Sequence, residues 1–69
     1  METTQQEALR ERLEKEAAEI VREFEGRVLP EEVHRTFYAS VERFSDARIK
    51  EFIPLFAGIA TRQVLRSGE

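Results

Sequence analysis

The sequence predicts an all-α fold: an antiparallel three-helix bundle that pairs with a second copy of itself. Apolar residues recur at three- and four-residue spacing in three segments, each separated from the next by cap and breaker residues. The chain has 69 residues and no cysteine, so a single small core must form without a disulfide. The third segment also carries more apolar surface than such a core needs. These features predict one domain, residues 1–69, with helices over about 4–25, 30–44 and 47–66.

The first helix is expected to begin near Thr4, whose spacing to Glu7 matches a capping box. Leu9, Leu13, Ala17, Ile20, Val21 and Phe24 cover roughly 120° of the helical wheel, the width of one core-facing stripe. The opposite face is charged. Glu7, Arg10, Glu11, Glu14, Lys15, Glu19, Arg22 and Glu23 give several favourable pairings three and four residues apart. Gly26 is the expected stop.

The second helix is expected to start at Pro30, because a proline at the first helical position sacrifices only a donor that would be unpaired anyway. Glu31 and Glu32 then place negative charge in the first turn, where it complements the helix dipole. Val33, Phe37, Val41 and Phe44 form a narrow stripe with Tyr38 at its flank, and Ser45-Asp46 supplies a break and a cap for the next helix. Short connections imply antiparallel neighbours. The core expected from these stripes is Leu13, Ile20, Phe24, Val33, Phe37, Val41, Phe44, Ile49 and Phe52.

The third helix differs from the others. Ile49, Phe52, Ile53, Phe56, Ala60 and Val64 form the expected core stripe, and Leu55 and Ile59 widen the apolar arc to about 200°, where about 100° would serve. Two helices cover part of that arc, and the surplus is expected to meet another chain. Phe52, Leu55, Phe56, Ile59 and Gln63 are therefore the expected homodimer interface, the alternative being that the same stripe is simply core. Pro54 falls inside this segment. It is expected to kink the helix, with the carbonyl of Lys50 freed toward water on a wet face shared with Gly58 and Arg62. The alternative is that Pro54 marks a helix boundary.

Hydrophobic residues make up 41% and charged residues 36%, a balance suited to a folded domain. With a net charge of −3 and a pI of about 5.2, the chain lacks the basic footprint of a nucleic-acid binder. Only a clustering of Arg43, Arg48, Arg62 and Arg66 on one surface would restore that class. No apolar run approaches the roughly 20 residues of a membrane span. The polar, acidic start, Met1-Glu2-Thr3-Thr4-Gln5-Gln6-Glu7, lacks the basic region and apolar core of a signal peptide, so a cytoplasmic location is expected.

Catalytic chemistry is not expected. Ser40, Ser45 and Ser67 have no placed base, and the three glycines make no phosphate loop. His34 follows Glu31 by three residues, and a Glu-x-x-His pair is one half of a di-iron carboxylate pattern. A small ligand- or metal-binding bundle using Glu31 and His34 is thus the alternative to an association module. Both residues lie outside the narrow stripe of their helix, which favours a solvated histidine, and no cofactor is expected.

The residues from Leu29-Pro30-Glu31-Glu32-Val33, through Val41-Glu42-Arg43-Phe44, to Phe52-Ile53-Pro54-Leu55 resemble the three-helix bundle dimerization domain family. This bacterial family occurs alone or fused ahead of arsenate reductases of the low-molecular-weight tyrosine phosphatase type. The resemblance covers about Ile20 to Leu65. It implies a non-catalytic homodimerization module and, as a further partner, a separately encoded enzyme of the arsenate reductase or phosphatase type. After the Pro54-Leu55 pair the family pattern has another leucine and then charged residues, whereas Phe56-Ala57-Gly58-Ile59 follow here. The cysteine of the phosphatase-type catalytic loop has no counterpart in this chain.

Overall fold

A computed structural model describes residues 2–46 and 48–68, with side chains described from Glu7 onward. It contains three α-helices: α1, Glu2–Glu23; α2, Pro30–Arg43; and α3, Ile53–Ser67. A short 3-10 helix, Lys50–Phe52, leads directly into α3. There is no strand among the described residues, and each α-helix packs against the other two.

α1 already runs from Glu2, so Thr4 lies inside the helix rather than at its cap, and its side chain is outside the described set. The end of α1 follows expectation. Gly26 adopts the left-handed conformation at φ 86°, which a side chain would strain. Around it the amides of Arg27 and Val28 both donate to the Phe24 carbonyl, at 2.9 Å each. This tight turn lets α2 start at Pro30, with Glu31 and Glu32 in its first turn as expected.

The third helix departs from expectation at its start. The segment expected to be helical from Ala47 begins regular structure only at Lys50, and Ala47 itself is outside the described residues. Ser45 serves α2 instead: its hydroxyl donates to the Glu42 carbonyl at 2.8 Å, closing that helix. Lys50 reaches back to donate to the Ser45 carbonyl at 2.7 Å. No side chain caps α3, and Pro54 is its second residue. A proline in the first turn removes no internal hydrogen bond, because the donor it lacks has no partner within the helix. Pro54 therefore marks the change from 3-10 to α geometry, and the expected loss at the Lys50 carbonyl does not arise.

The core is built from Ala17, Ile20 and Phe24 of α1, Val33 and Phe37 of α2, and Ala57 and Leu65 of α3, with Leu13, Val21, Val28 and Val41 packed at its margin. The stripes of α1 and α2 thus point inward as their spacing requires, although Phe44 is only half-buried. Two polar groups are buried with them, and both are satisfied locally. Thr61 donates to the Ala57 carbonyl at 2.7 Å, and Ser40 to the Thr36 carbonyl at 3.0 Å.

Candidate self-association surface

α3 turns the opposite face inward from the one its large residues suggest. Its buried positions are Ile53, Pro54, Ala57, Gly58, Thr61 and Leu65. Ile49, Phe52, Phe56 and Val64, expected in the core, are exposed, and Ala60 is only half-buried. Pro54 and Gly58, expected on a wet face, are buried.

Packing and charge together explain the inversion. Ile20, Phe24, Val33 and Phe37 already fill the space between α1 and α2, and all four are essentially inaccessible to solvent. A third helix approaches closely only through small side chains, and Ala57, Gly58 and Thr61 supply them. At Gly58 even a methyl group would run into the Glu16 carboxylate, which lies across α3 at this point. A side chain at Gly58 would displace that carboxylate and disturb its hydrogen bond from Arg62.

Arg62 then fixes the rotation of α3 about its own axis. Its Nη1 donates to Glu16 Oε2 at 2.9 Å, while Nε and Nη2 hold the two oxygens of Glu23 at 2.9 and 2.8 Å. The last two bonds form the planar fork in which arginine binds a carboxylate best. These hydrogen bonds hold Glu23 below the usual carboxylate range against an opposing effect of burial, with the charges of Arg62 and Arg66 adding to the lowering, and they push the Arg62 guanidinium still further up. Arg62 is therefore engaged with α1. Arg43 lies over the Phe44 ring on α2, 5.8 Å from its centroid. The cluster of arginines that a nucleic-acid surface would require loses Arg62 to this network.

What remains outward on α3 is a continuous apolar stripe. Phe52 is 45% exposed, Leu55 53%, Phe56 41% and Ile59 47%, and Gln63 lies exposed at its end. At about 100° per residue, this stripe is centred about 175° from the buried face of α3. Its spacing of three and four residues is that of a helix–helix seam. One edge is stiffened by aromatic contacts: Phe56 lies 5.9 Å from both Phe44, just past the end of α2, and Phe52, ring centre to ring centre. Together the four apolar side chains expose on the order of 350 Å², in the range where a monomer's largest apolar patch is often functional.

The alternative pair, Glu31 and His34, gains no third ligand among the described residues. Glu31 and His34 are both exposed on α2, where the imidazole faces the Tyr38 ring at 6.4 Å. Among the described residues no three His, Cys, Asp or Glu side chains come together as metal ligands would. A depression of about 330 Å³ at the α1–α2 turn is lined by Val21, Val28 and Pro30, with Arg22 and Glu25 exposed beside it. Among the described residues no helix is long and apolar enough to cross a membrane. Comparison with protein-family models, curated proteins and solved structures gave no match to the chain.

Proposed function

We propose that the chain is a non-catalytic association module that forms a homodimer through the outer stripe of α3, with its own helices in antiparallel succession. The reading rests on one observation: α3 buries its small residues, and together with the 3-10 turn that leads into it presents Phe52, Leu55, Phe56 and Ile59 to the outside. Covering half-exposed phenylalanine, leucine and isoleucine gains about 25 cal/mol per Å² of apolar surface. A two-fold axis covers the same patch on both chains at once, so one stripe is enough. The resemblance to the three-helix bundle dimerization domain supports the same role and extends it to service of a separately encoded arsenate reductase or phosphatase-type enzyme.

The test is substitution at the centre of the stripe. Leu55→Glu and Ile59→Lys each place a charge where it would face its own copy across the axis, unpaired and desolvated. In the single chain both positions are half-exposed, so folding is little affected. Each variant should keep its helical circular dichroism and sediment as a monomer at concentrations where the wild type is a dimer. A variant dimer as tight as the wild type would remove this stripe as the interface.

A further inference from the structure

We propose that the homodimer contact extends past α3 onto the aromatic corner at its N-terminal end, so that Phe44 and Ile49 join Phe52 and Phe56 against the second copy, about a two-fold axis near Phe56. The proposal rests on the homodimer reading and adds where the contact is centred and which connection belongs to it. Area is the first reason. The α3 stripe exposes on the order of 350 Å² of apolar side chain, less than half of the roughly 800 Å² that each partner of a stable pair buries. A second copy therefore needs surface beyond the stripe.

The apolar surface continues in one direction. Toward the C-terminus the stripe runs into Gln63 and then Arg66, both exposed and polar. Val64 is also exposed, but it lies five residues past Ile59, about 140° around α3 from it. Toward the N-terminus the next residue outward is Ile49. It is 51% exposed, and the Phe52 amide donates to its carbonyl at 3.2 Å, closing the turn that carries both. Phe56 neighbours Phe52 and the half-buried Phe44, its ring tilted 52° from the first and 44° from the second. Rings tilted in this way leave edges and faces outward for the same rings of a second copy. The corner is also held in advance. Lys50 Nζ donates to the Ser45 carbonyl at 2.7 Å, and Arg12 Nη2 of α1 donates to the Glu51 carbonyl at 3.0 Å, tying the connection back on itself and to α1. A surface fixed beforehand loses little freedom on association. Phe44, Ile49, Phe52 and Phe56 carry no charge, so a two-fold axis brings no like charges together inside the contact. Arg43, lying over the Phe44 ring, supplies a polar rim.

Two measurements test the proposal together. Ile49→Glu and Val64→Glu place the same charge at positions of nearly equal exposure, 51% and 50%, one inside the expected contact and one outside it. Ile49→Glu should weaken the dimer roughly tenfold or more, as loss of a central contact does. Val64→Glu should change it by less than about twofold, as a surface substitution does. Both should keep their helical circular dichroism. An unchanged dimer in Ile49→Glu, or equal weakening by the two changes, would overturn the role of the corner. The wild-type chain gives the second reading and needs no variant to fold. In an equal mixture of isotope-labelled and unlabelled chains, filtered NOE spectra should show contacts between chains at the Ile49 methyl groups and at the rings of Phe52 and Phe56, and none at Val64. Contacts between chains confined to Leu55, Ile59 and Val64 would overturn the corner and leave the homodimer standing. Monomeric mass with no contact between chains would overturn the homodimer reading beneath it.

Discussion

Arg62→Met removes the fork that fixes α3 while keeping an unbranched apolar stem against the bundle. The wild-type guanidinium makes three hydrogen bonds to two carboxylates, all between 2.8 and 2.9 Å. Hydrogen bonds to charged groups are worth about 1.5–3 kcal/mol each when buried, but exposed pairs yield about 0–1 kcal/mol. The Arg62 side chain is 21% exposed, Glu16 23% and Glu23 43%, so the network lies between those limits. Solvent screening of the Glu23 half brings the expected loss to about 1–2 kcal/mol for the whole network. In a chain of this length that lowers the melting temperature by roughly 5–15 °C.

The loss should depend on pH with a definite sign. Glu23 is held below the ordinary carboxylate range, chiefly by its hydrogen bonds from Arg62. Its stabilisation is therefore full above the unfolded value of about 4.3 and is lost as pH falls through the lower folded value. Thermal melts from pH 7 to pH 2.5, at one fixed chain concentration, should show the wild type losing its advantage over Arg62→Met in the acid range. Glu23→Gln should remove most of the pH-dependent part, and the double variant should be less than additive. Equal melting temperatures at pH 7, or a difference that does not shrink in acid, would refute this account of how α3 is held.

Two further variants examine the core. Phe37 is fully buried, and Phe37→Ala should cost about 3–5 kcal/mol, most of the stability of so small a domain; an unchanged denaturant midpoint would mean that α2 is misphased. Ala57→Leu forces a larger side chain into a filled contact and should cost about 1–3 kcal/mol, whereas a neutral or stabilising effect in urea unfolding would place Ala57 outside the core.

α1 and α2 were legible because each has one apolar stripe, and only one rotation buries it. Ala17, Ile20, Phe24, Val33 and Phe37 are inside for that reason. α3 was harder because its apolar arc is wide enough for two rotations, and size favoured burying Phe52 and Phe56. The deciding signals were present but weaker: a line of small residues, Ala57, Gly58 and Thr61, and beside it an arginine within reach of acidic residues on α1. Long-range pairing between Arg62 and Glu16 or Glu23 has no local periodicity to reveal it. Pro54 was similarly ambiguous, because the 3-10 entry that makes it a helix-start residue depends on how Lys50 and Ser45 close the preceding turn. The surplus apolar arc itself was legible, and it led to Phe52, Leu55, Phe56, Ile59 and Gln63, which are all exposed on the single chain.

The central claim is that this exposed face exists to meet its own copy. Sedimentation equilibrium of the wild-type chain, from about 1 to 100 µM and at moderate salt, tests it most directly; that range brackets an affinity of about −8 kcal/mol, near a micromolar dissociation constant. The expected mass rises with concentration to twice the 8.1 kDa of one chain and stops there, as a closed two-fold contact requires. A mass that stays at 8.1 kDa throughout, or one that climbs past the dimer without a plateau, would contradict it.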